Sequence, residues 1–270
     1  SLWYAKAVFG RQGGCGFCSA VGEDPLSQQM LGFIAQAGID CSRVRRIKDR
    51  RPGLYIIHLD GAERSFSYWR DASAARLLAA DRAHLDKSVA DATMLYFSGI
   101  TLAILSQEDR DFLLLAMQTA RAAGKVVAFD PNIRPALWPD SELMRREISR
   151  AAAQSTLVLP SFDDEARVFG DNTPRDTLDR YSTQHVELIV VKDGPGPVRA
   201  WQNGNVVEFP TATVTDLVDT TGAGDSFNGA FLASLAMNGN LEKSIHAGQN
   251  CSAQVIAQPG ALVAHDRLDV

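Results

Sequence analysis

The sequence predicts an α/β protein with a mainly parallel sheet flanked by helices and a small antiparallel β lid. Short apolar runs such as Lys125–Asp130 and Leu188–Lys192 alternate with longer helical patterns, which is typical of parallel strands joined by crossover helices. The aromatic-rich segment Gly53–Arg70 interrupts this alternation and predicts a two-stranded hairpin. Near the C-terminal end, a glycine-rich turn leads directly into a helix, a common arrangement at ligand sites of α/β proteins.

The elements follow in a regular series, with strands marked by short apolar runs and helices by apolar residues at helical spacing. We expect a helix from Ser1; strands at Gly14–Val21, Met94–Ser98, Lys125–Asp130, Thr156–Pro160 and Leu188–Lys192; and helices at Asp111–Ala123, Ser141–Ala152, Asp163–Phe169, Asp225–Met237 and Leu241–Ile256. The hairpin turns around Asp60–Glu63. Because no internal repeat or linker is present, we expect one domain over residues 1–270 with a lid at about 52–72.

Length and composition fit a large α/β domain with its own core. The chain has 270 residues, of which 46% are hydrophobic and 22% are charged. A net charge of −5 argues against nucleic acid or an anionic membrane as a partner. No apolar run reaches the roughly 18 residues that span a bilayer, and no signal peptide is present. We therefore expect a cytoplasmic protein.

The cysteines give a weak signal of their own. Cys15 and Cys18 have the Cys-x-x-Cys spacing of redox sites and of half a zinc site. No second Cys or His pair stands at zinc-finger spacing, and the surrounding segment predicts a buried strand, where small thiols are common. We expect a structural role, with redox chemistry as the alternative. Together with Cys41 and Cys251, these residues suit a reducing cytoplasm.

The glycine-rich turn is the most informative part of the chain. Gly222 and Gly224 let backbone N–H groups approach a ligand, and the helix that follows adds unpaired donors that favour an anion. Asp225, in the first turn, is placed to take a proton from an attacking hydroxyl group. An anion cradle beside a base is what phosphoryl transfer to an alcohol requires.

Other kinds of glycine-rich turn share parts of this pattern. An ordinary tight strand-to-helix turn has the same Gly-x-Gly spacing. A dinucleotide-binding turn needs a third glycine where Phe227 stands, and Glu242 lies in a helical stretch rather than at a strand end. The nucleotide P-loop pattern is absent, because no Gly-Lys-Ser/Thr occurs.

Three strand ends carry further polar residues, at the edge where open α/β sheets bind ligands. Asp130, Asn132 and Arg134 follow one strand, and the guanidinium suits a carboxylate or a phosphate. The run 163–165 (Asp-Asp-Glu) suits a hydrated Mg²⁺ ion, although acidic residues also favour any helix N-terminus. Lys192–Pro197 forms a glycine–proline turn that suits a nucleotide pocket. Each of these segments is also compatible with a plain surface loop.

On the hairpin, alternation places Tyr68 and Arg70 on the same face of the second strand. If this face is turned to the sheet, a phenol and a guanidinium are available to a small polyhydroxy acid. The alternative is an edge strand with a solvated arginine and a packed Trp69.

Taken together, these residues resemble the ribokinase-like (PfkB) family of carbohydrate kinases over nearly the whole chain. The most specific match is Asp219–Phe231. Further matching segments are 21–24, 52–55, 66–70, 98–106, 130–138 and 259–261. The resemblance implies a ribokinase-like three-layer sandwich, and within the family it is strongest to kinases of a sugar acid.

The resemblance also implies roles for individual residues. Asp225 would be the catalytic base, and the anion hole would be formed by Gly222, Ala223 and Gly224. Residues implied for the sugar acid are Tyr68, Arg70 and Arg134, and those implied for the adenine nucleotide are Asn132, Lys192, Gly194, Gly196, Gly222, Gly224 and Asn250. ATP and Mg²⁺ are the implied cofactors, and pairing of two lids between subunits is a further expectation.

Two departures from the family pattern affect the expected site. The family's first strand and its Gly-Gly-Asn sugar-binding turn have no counterpart here, so we expect an incomplete N-terminus. The family's Asn-x-x-Glu magnesium motif reads 162–165 (Phe-Asp-Asp-Glu), so that Glu165 alone matches and is expected to act on the metal through water. The expected reaction is ATP-dependent phosphorylation of a terminal hydroxyl of 2-keto-3-deoxygluconate. The alternatives are a fructokinase or another sugar kinase of the family, or a non-catalytic sugar- or nucleotide-binding protein.

Overall fold

A computed structural model of the protein describes residues 1–60 and 63–270, with only the backbone described for 57–60, 63–66 and 68. The strands are β1 (Ser19–Val21), β2 (Val44–Arg46), β3 (Leu54–Asp60), β4 (Glu63–Trp69), β5 (Met94–Ser98), β6 (Val126–Asp130), β7 (Leu157–Val158), β8 (Leu188–Val191), β9 (Val198–Gln202) and β10 (Asn205–Phe209). The helices are α1 (Leu2–Phe9), α2 (Pro25–Gln36), α3 (Arg82–Ala90), α4 (Gly99–Ile104), α5 (Gln107–Ala122), α6 (Ser141–Ala153), α7 (Phe162–Phe169), α8 (Pro174–Ser182), α9 (Ala223–Asn238) and α10 (Leu241–Ile256).

The described chain divides into two compact units. The first comprises Ser1–Cys15, Ala92–Ala103 and Met117–Val270, and the second comprises Gly16–Asp91 and Ile104–Ala116. The single domain with a lid at about 52–72 stays a prediction, because the division into units does not test it.

A six-stranded sheet forms the centre of the first unit, in the order β10-β9-β8-β7-β6-β5. Neighbouring strands from β5 to β8 are parallel, whereas β9 runs antiparallel to both β8 and β10. The inner strands are buried on both faces, as their continuous apolar sequences require. The parallel strands therefore end on one edge, where β6 ends at Asp130 and β8 is followed by Lys192.

The pairing of β7 with β8 continues one step beyond the strands and brings two polar residues together. Ser161 and Lys192 form a parallel bridge, and the Phe162 N–H donates to the Lys192 carbonyl at 2.8 Å. At the neighbouring strand end, a Cβ on Gly99 would lie 2.0 Å from the Pro131 carbonyl oxygen, so only glycine permits this approach.

Helix α9 is buried along most of its length, since each residue from 226 to 234 is shielded from solvent. Phe227 and Phe231 pack with Leu157 and Val190 of the sheet. On the other side, a Cβ on Gly229 would lie 2.2 Å from the Ser1 carbonyl oxygen. This glycine lets α1 approach α9 closely, and so fixes the position of the helix that carries Asp225.

The second unit holds two small sheets. Strands β1 and β2 pair in parallel, and β3 and β4 form an antiparallel hairpin in which Leu54 opposes Trp69. Helix α2 begins at Pro25, and the Asp24 side chain caps it by accepting from the N–H groups of Leu26 and Ser27.

The predicted series of elements is confirmed in its order, with three differences. The strand expected at Gly14–Val21 is only Ser19–Val21, since the glycine-rich start forms no more than a single bridge at Gly16. The hairpin β9–β10 was not predicted, although its turn residues Asn203 and Gly204 have the positive φ angles of 51° and 85° that a tight hairpin turn needs. Strand β2 and helices α2, α3, α4 and α8 were also not predicted.

Candidate active site

A cavity of about 330 Å³ lies at the carboxyl edge of the large sheet, entirely within the first unit. It is lined by Asp130, Asn132, Arg134, Ser161, Asp164, Lys192 and the segment 220–225. The predicted glycine-rich turn and all three predicted strand ends, represented by Arg134, Asp164 and Lys192, therefore converge on one pocket, as the rule for open α/β sheets requires.

The N-terminus of α9 faces this cavity. Gly222 occupies the N-cap position with φ 85°, and among the described residues no side chain caps the helix. The Ala223 N–H donates to the Thr220 carbonyl at 3.2 Å. The N–H groups of Gly224 and Asp225 have no hydrogen-bond acceptor among the described residues and are the donors open to a ligand. A Cβ on Gly222 would lie 2.9 Å from the Ala261 carbonyl oxygen. Both the backbone conformation and the available space thus require glycine here.

The loop that precedes α9 is held in place by one carboxylate. Asp219 Oδ1 accepts from the Thr221 N–H at 3.0 Å, and Asp219 Oδ2 accepts from the Gly260 N–H at 3.0 Å. These bonds tie the glycine-rich turn to the segment that contacts Gly222, and so stabilise the shape of the anion cradle.

Asp225 lies in the first turn of α9 with its side chain 52% exposed. Its Oδ1 accepts from the Ser1 hydroxyl at 2.6 Å and from the Ser1 amino group at 3.1 Å. Burial opposes ionisation of the Asp225 carboxyl, whereas the hydrogen bond from the Ser1 hydroxyl and the nearby Lys192 charge favour it. A half-exposed aspartate is a carboxylate at neutral pH, which is the form able to accept a proton.

Close to Asp225, the predicted residues Asp130 and Lys192 meet two polar side chains, Tyr96 and Asn228, that the sequence patterns did not indicate. The Tyr96 hydroxyl donates to Asp130 Oδ2 at 3.2 Å, and Asn228 Nδ2 donates to the same oxygen at 2.8 Å. Lys192 Nζ donates to Asn228 Oδ1 at 2.9 Å. Burial raises the pKa of Asp130, and the nearby Lys192 charge opposes this rise.

Arg134 and Asp164 form an ion pair among the cavity residues. Arg134 Nη1 donates to Asp164 Oδ2 at 3.2 Å, and the Arg134 side chain is 52% exposed. Asp164 also pairs with Arg167 in the same helix. Within the predicted acidic run 163–165, the residue that lines the cavity is thus Asp164 and not Glu165.

Glu165 is placed away from the cavity, among side chains of α7 and α8. It is fully buried, and its Oε2 accepts from Arg180 Nη2 at 2.7 Å while its Oε1 accepts from the Tyr181 hydroxyl at 3.1 Å. These partners occupy the carboxylate that was expected to reach a metal through water. The preceding residue, Asp164, lines the cavity instead, because successive residues of a helix point in different directions.

The remaining predicted residues are distributed as follows. Asn132 lines the cavity with φ 34°, and its N–H donates to Asp130 Oδ1 at 3.0 Å. Gly194, with φ 52°, and Gly196 lie in the turn between β8 and β9, outside the cavity lining. Asn250 is exposed on α10 and is not among the cavity residues. Their contact with a nucleotide stays a prediction.

The hairpin residues belong to the second unit. The Tyr68 side chain lies outside the described residues, so its predicted contact with the sugar stays a prediction. Arg70 is half-buried, and a Cβ on Gly53 would lie 3.2 Å from its Cβ. Leu54 and Trp69 are exposed at the end of the hairpin; pairing of two lids likewise stays a prediction.

The four cysteines are free thiols. Burial raises the pKa of Cys15 and that of Cys18, which disfavours the reactive thiolate form.

Among the described residues, no group of three or more His, Cys, Asp or Glu side chains is arranged to hold a metal ion. No described helix is both long enough and apolar enough to cross a bilayer.

Comparison with known proteins identifies the family to which this chain belongs. The family model of pfkB family carbohydrate kinases matches residues 7–266. The chain belongs to this family. It is therefore a sugar kinase by descent, and its cavity has the anion cradle and the carboxylate that phosphoryl transfer to a sugar hydroxyl requires.

Curated relatives of this kinase cover most of its length. The 2-dehydro-3-deoxygluconokinase of Haemophilus influenzae is 36% identical over 92% of this chain and 80% of the relative. The enzyme of the same name from Escherichia coli K12 is 33% identical over 93% of this chain and 84% of the relative. A fructokinase of Salmonella typhimurium is 31% identical over 93% of this chain and 83% of the relative.

Solved structures confirm the ribokinase-like fold of this kinase. A PfkB protein from Polaromonas sp. JS666 is 26% identical, with a TM-score of 0.80 over 95% of this chain and 83% of the other. A fructokinase with bound ATP from Xylella fastidiosa, 24% identical, has a TM-score of 0.81 over 99% of this chain and 85% of the other.

Proposed function

We propose that this pfkB-family kinase is a 2-keto-3-deoxygluconate kinase, that is, a 2-dehydro-3-deoxygluconokinase, which uses ATP to phosphorylate a terminal hydroxyl group. The observation that carries the chemistry is the half-exposed Asp225 carboxylate beside the uncapped N-terminus of α9. The sugar is inferred from four curated relatives of that name, which are 32–36% identical to this chain.

In the proposed reaction, Asp225 accepts the proton of the terminal hydroxyl as its oxygen attacks the γ-phosphorus of ATP. The oxygen–phosphorus bond to the sugar forms, the bond to the ADP oxygen breaks, and the bonding electron pair leaves with ADP. The N–H groups at the start of α9 donate to the oxygens of the transferred phosphoryl group, where negative charge is concentrated. As a carboxylate at neutral pH, Asp225 is in the form that accepts this proton.

The residues of the cavity fit a magnesium ion that is bound mainly by phosphate and water. Asp164 is one of three aspartates that line the cavity, with Asp130 and Asp225, and Mg²⁺ commonly takes one or two carboxylates together with substrate phosphates and several waters. Asp164 would hold the hydrated ion, and the ion would neutralise charge on the phosphates. This assignment replaces Glu165, whose carboxylate is engaged by Arg180 and Tyr181.

The carboxylate of a sugar acid needs a cationic partner. Arg70 is the proposed partner, with Tyr68 as a second contact, because a guanidinium pairs bidentately with a carboxylate. Arg134, which lines the cavity and is half-exposed, is proposed to bind near the junction of sugar and phosphates. A neutral sugar would gain no charge-assisted contact from these arginines, so this arrangement favours an acid.

A fructokinase is the second candidate, because a fructokinase is among the relatives at 31% identity. A substrate panel separates the two. ADP release is measured with 2-keto-3-deoxygluconate, its galacto epimer, fructose, ribose and gluconate, at several concentrations of each. The proposal expects the highest kcat/KM for 2-keto-3-deoxygluconate. A higher kcat/KM for fructose would assign the protein to the second candidate.

A further inference from the structure

A triangle of buried polar groups lies directly beneath the N-terminus of α9. Lys192 Nζ donates to Asn228 Oδ1 at 2.9 Å and lies 4.0 Å from Asp130 Oδ1. Asn228 Nδ2 closes the triangle by donating to Asp130 Oδ2 at 2.8 Å. All three residues are at least nine-tenths buried. Because a buried charge is stable only when it is paired, each member holds the other two in place.

The triangle is connected to the proposed base through the backbone of α9. Asn228 follows Asp225 by three residues, so the two side chains are about one helical turn apart. The contacts that Asn228 makes with Lys192 and Asp130 therefore fix the rotation of the first turn of α9. That rotation decides where the Asp225 carboxylate points.

Lys192 also sets the electrostatics of the cavity. It and Arg134 are the two cations among the described residues that line it, and Arg134 is paired with Asp164. A Cβ on Gly224 would lie 3.8 Å from Lys192 Nζ, so the ammonium adjoins the anion cradle. The titratable and charged groups around Asp225 are the Ser1 amino group, Lys192, Asp130, Tyr96 and Tyr4. Of these, Lys192 is the buried side-chain cation, and it helps to keep the carboxylates ionised beside an anionic substrate.

We propose that Lys192 is a positioning residue, which acts with Asn228 and Asp130 to fix the first turn of α9 and so aim Asp225 at the substrate hydroxyl. This role is additional to the nucleotide contact predicted for Lys192. It rests on the proposed function of Asp225 as the base.

The test compares Lys192→Met and Lys192→Arg, with the exposed Lys243→Met as a matched control. Turnover is measured with 2-keto-3-deoxygluconate and ATP across a pH series, and folding is checked by thermal unfolding. Lys192→Met is expected to lower kcat about tenfold to a hundredfold, with a smaller change in the KM for the sugar acid. The acid limb of its kcat profile should move to higher pH, because Asp225 loses a neighbouring cation. Lys192→Arg should recover part of kcat, and Lys243→Met should match the wild type.

A second variant separates positioning from stability. Lys192→Met alone leaves a buried carboxylate unpaired, whereas Lys192→Met combined with Asp130→Asn removes both charges. The double variant is expected to unfold at a higher temperature than Lys192→Met and still to have low kcat. If neither variant folds, Asn228→Ala is measured instead, because it keeps both charges but removes the side chain that links them. The inference predicts the same fall in kcat for this variant.

Wild-type kcat and an unshifted pH profile in a folded Lys192→Met, or in Asn228→Ala when the Lys192 variants do not fold, would overturn the inference. Asp225→Asn is measured in parallel. If Asp225→Asn is inactive while Lys192→Met is fully active, only the role of Lys192 fails. If Asp225→Asn keeps its turnover, the proposed base itself is wrong.

Discussion

Arg134 Nη1 donates to Asp164 Oδ2 at 3.2 Å, so an arginine and the acidic residue proposed for magnesium are paired within one cavity. A bound nucleotide brings both phosphate oxygens, which suit the guanidinium, and a hydrated Mg²⁺ ion, which suits the carboxylate. We therefore expect this ion pair to be exchanged for contacts with Mg²⁺ and ATP when the substrate complex forms.

Asp164→Asn tests the magnesium assignment. Removing the charge should weaken Mg²⁺ binding, so the Mg²⁺ concentration that gives half-maximal turnover should rise about 10–100-fold. This is the range typical of lost supporting contacts at metal sites. The measurement is a Mg²⁺ titration of ADP release at fixed ATP. Asp163→Asn, an exposed neighbour on the same helix, is the control and should titrate like the wild type. An identical midpoint for Asp164→Asn and the wild type would place Mg²⁺ elsewhere.

Gly222→Ala tests the anion cradle. The φ angle of 85° and the 2.9 Å approach of a Cβ to the Ala261 carbonyl oxygen both oppose a side chain. We expect the free energy of unfolding to fall by about 1–3 kcal/mol and kcat to fall at least tenfold, because the N–H donors shift. Urea unfolding and steady-state turnover measure the two effects.

The control for this variant is Gly239→Ala at the other end of α9. Gly239 also has a positive φ, of 64°, but no atom lies within 4 Å of the position that a Cβ would take. It should lose stability while keeping its turnover. Equal losses of kcat in the two variants would show that the effect of Gly222 arises from stability alone.

Glu165 predicts a pH dependence of stability. Burial raises its pKa from the ordinary 4.5 to about 7, although Arg180 and Tyr181 oppose this. The folded state thus binds this proton more tightly than the unfolded state does. The stability contributed by Glu165 is present below pH 4.5 and is lost as the pH rises to about 7.

Glu165→Gln isolates this contribution, because glutamine keeps an acceptor for Arg180 and Tyr181 but does not titrate. The free energy of unfolding of the wild type minus that of Glu165→Gln should decrease steadily between about pH 4.5 and pH 7. Urea unfolding at a series of pH values measures the difference. A difference that stays constant over this range would mean that Glu165 is ionised throughout.

Arg70→Ala separates an acid substrate from a neutral sugar. Loss of a charge-assisted pair should raise the KM for 2-keto-3-deoxygluconate at least about tenfold, since about 1.4 kcal/mol corresponds to tenfold. Turnover at saturation should fall less, because the contact is present in the ground and transition states alike. Arg46→Ala, an exposed arginine of β2, is the control. Equal losses for the acid and for fructose would mean that Arg70 does not recognise the carboxylate.

Local sequence signals were enough to predict the core of the site. The glycine-rich turn and the polar residues after β6 and β8 converge on one cavity, because parallel strands end on a common edge and a glycine-rich turn precedes α9. The turn residues Asn203 and Gly204 carried the signal for the missed hairpin β9–β10.

Other features depend on contacts that no local pattern encodes. Tyr96 and Asn228 meet Asp130 from elements far apart in sequence, and no local pattern marks either residue as a partner of Asp130. Asp164 and Glu165 are adjacent acids, and about 100° of helix rotation places one in the cavity and buries the other. The sequence of the acidic run does not show which of these two neighbours lines the cavity.

Asp225→Asn tests most directly whether Asp225 is the catalytic base. The amide keeps the size and the Ser1 contact of the side chain but accepts no proton. With 2-keto-3-deoxygluconate and ATP at saturation, the folded variant should lose about 10²–10⁴-fold in kcat. A folded Asp225→Asn protein with near wild-type kcat would show that Asp225 is not the catalytic base.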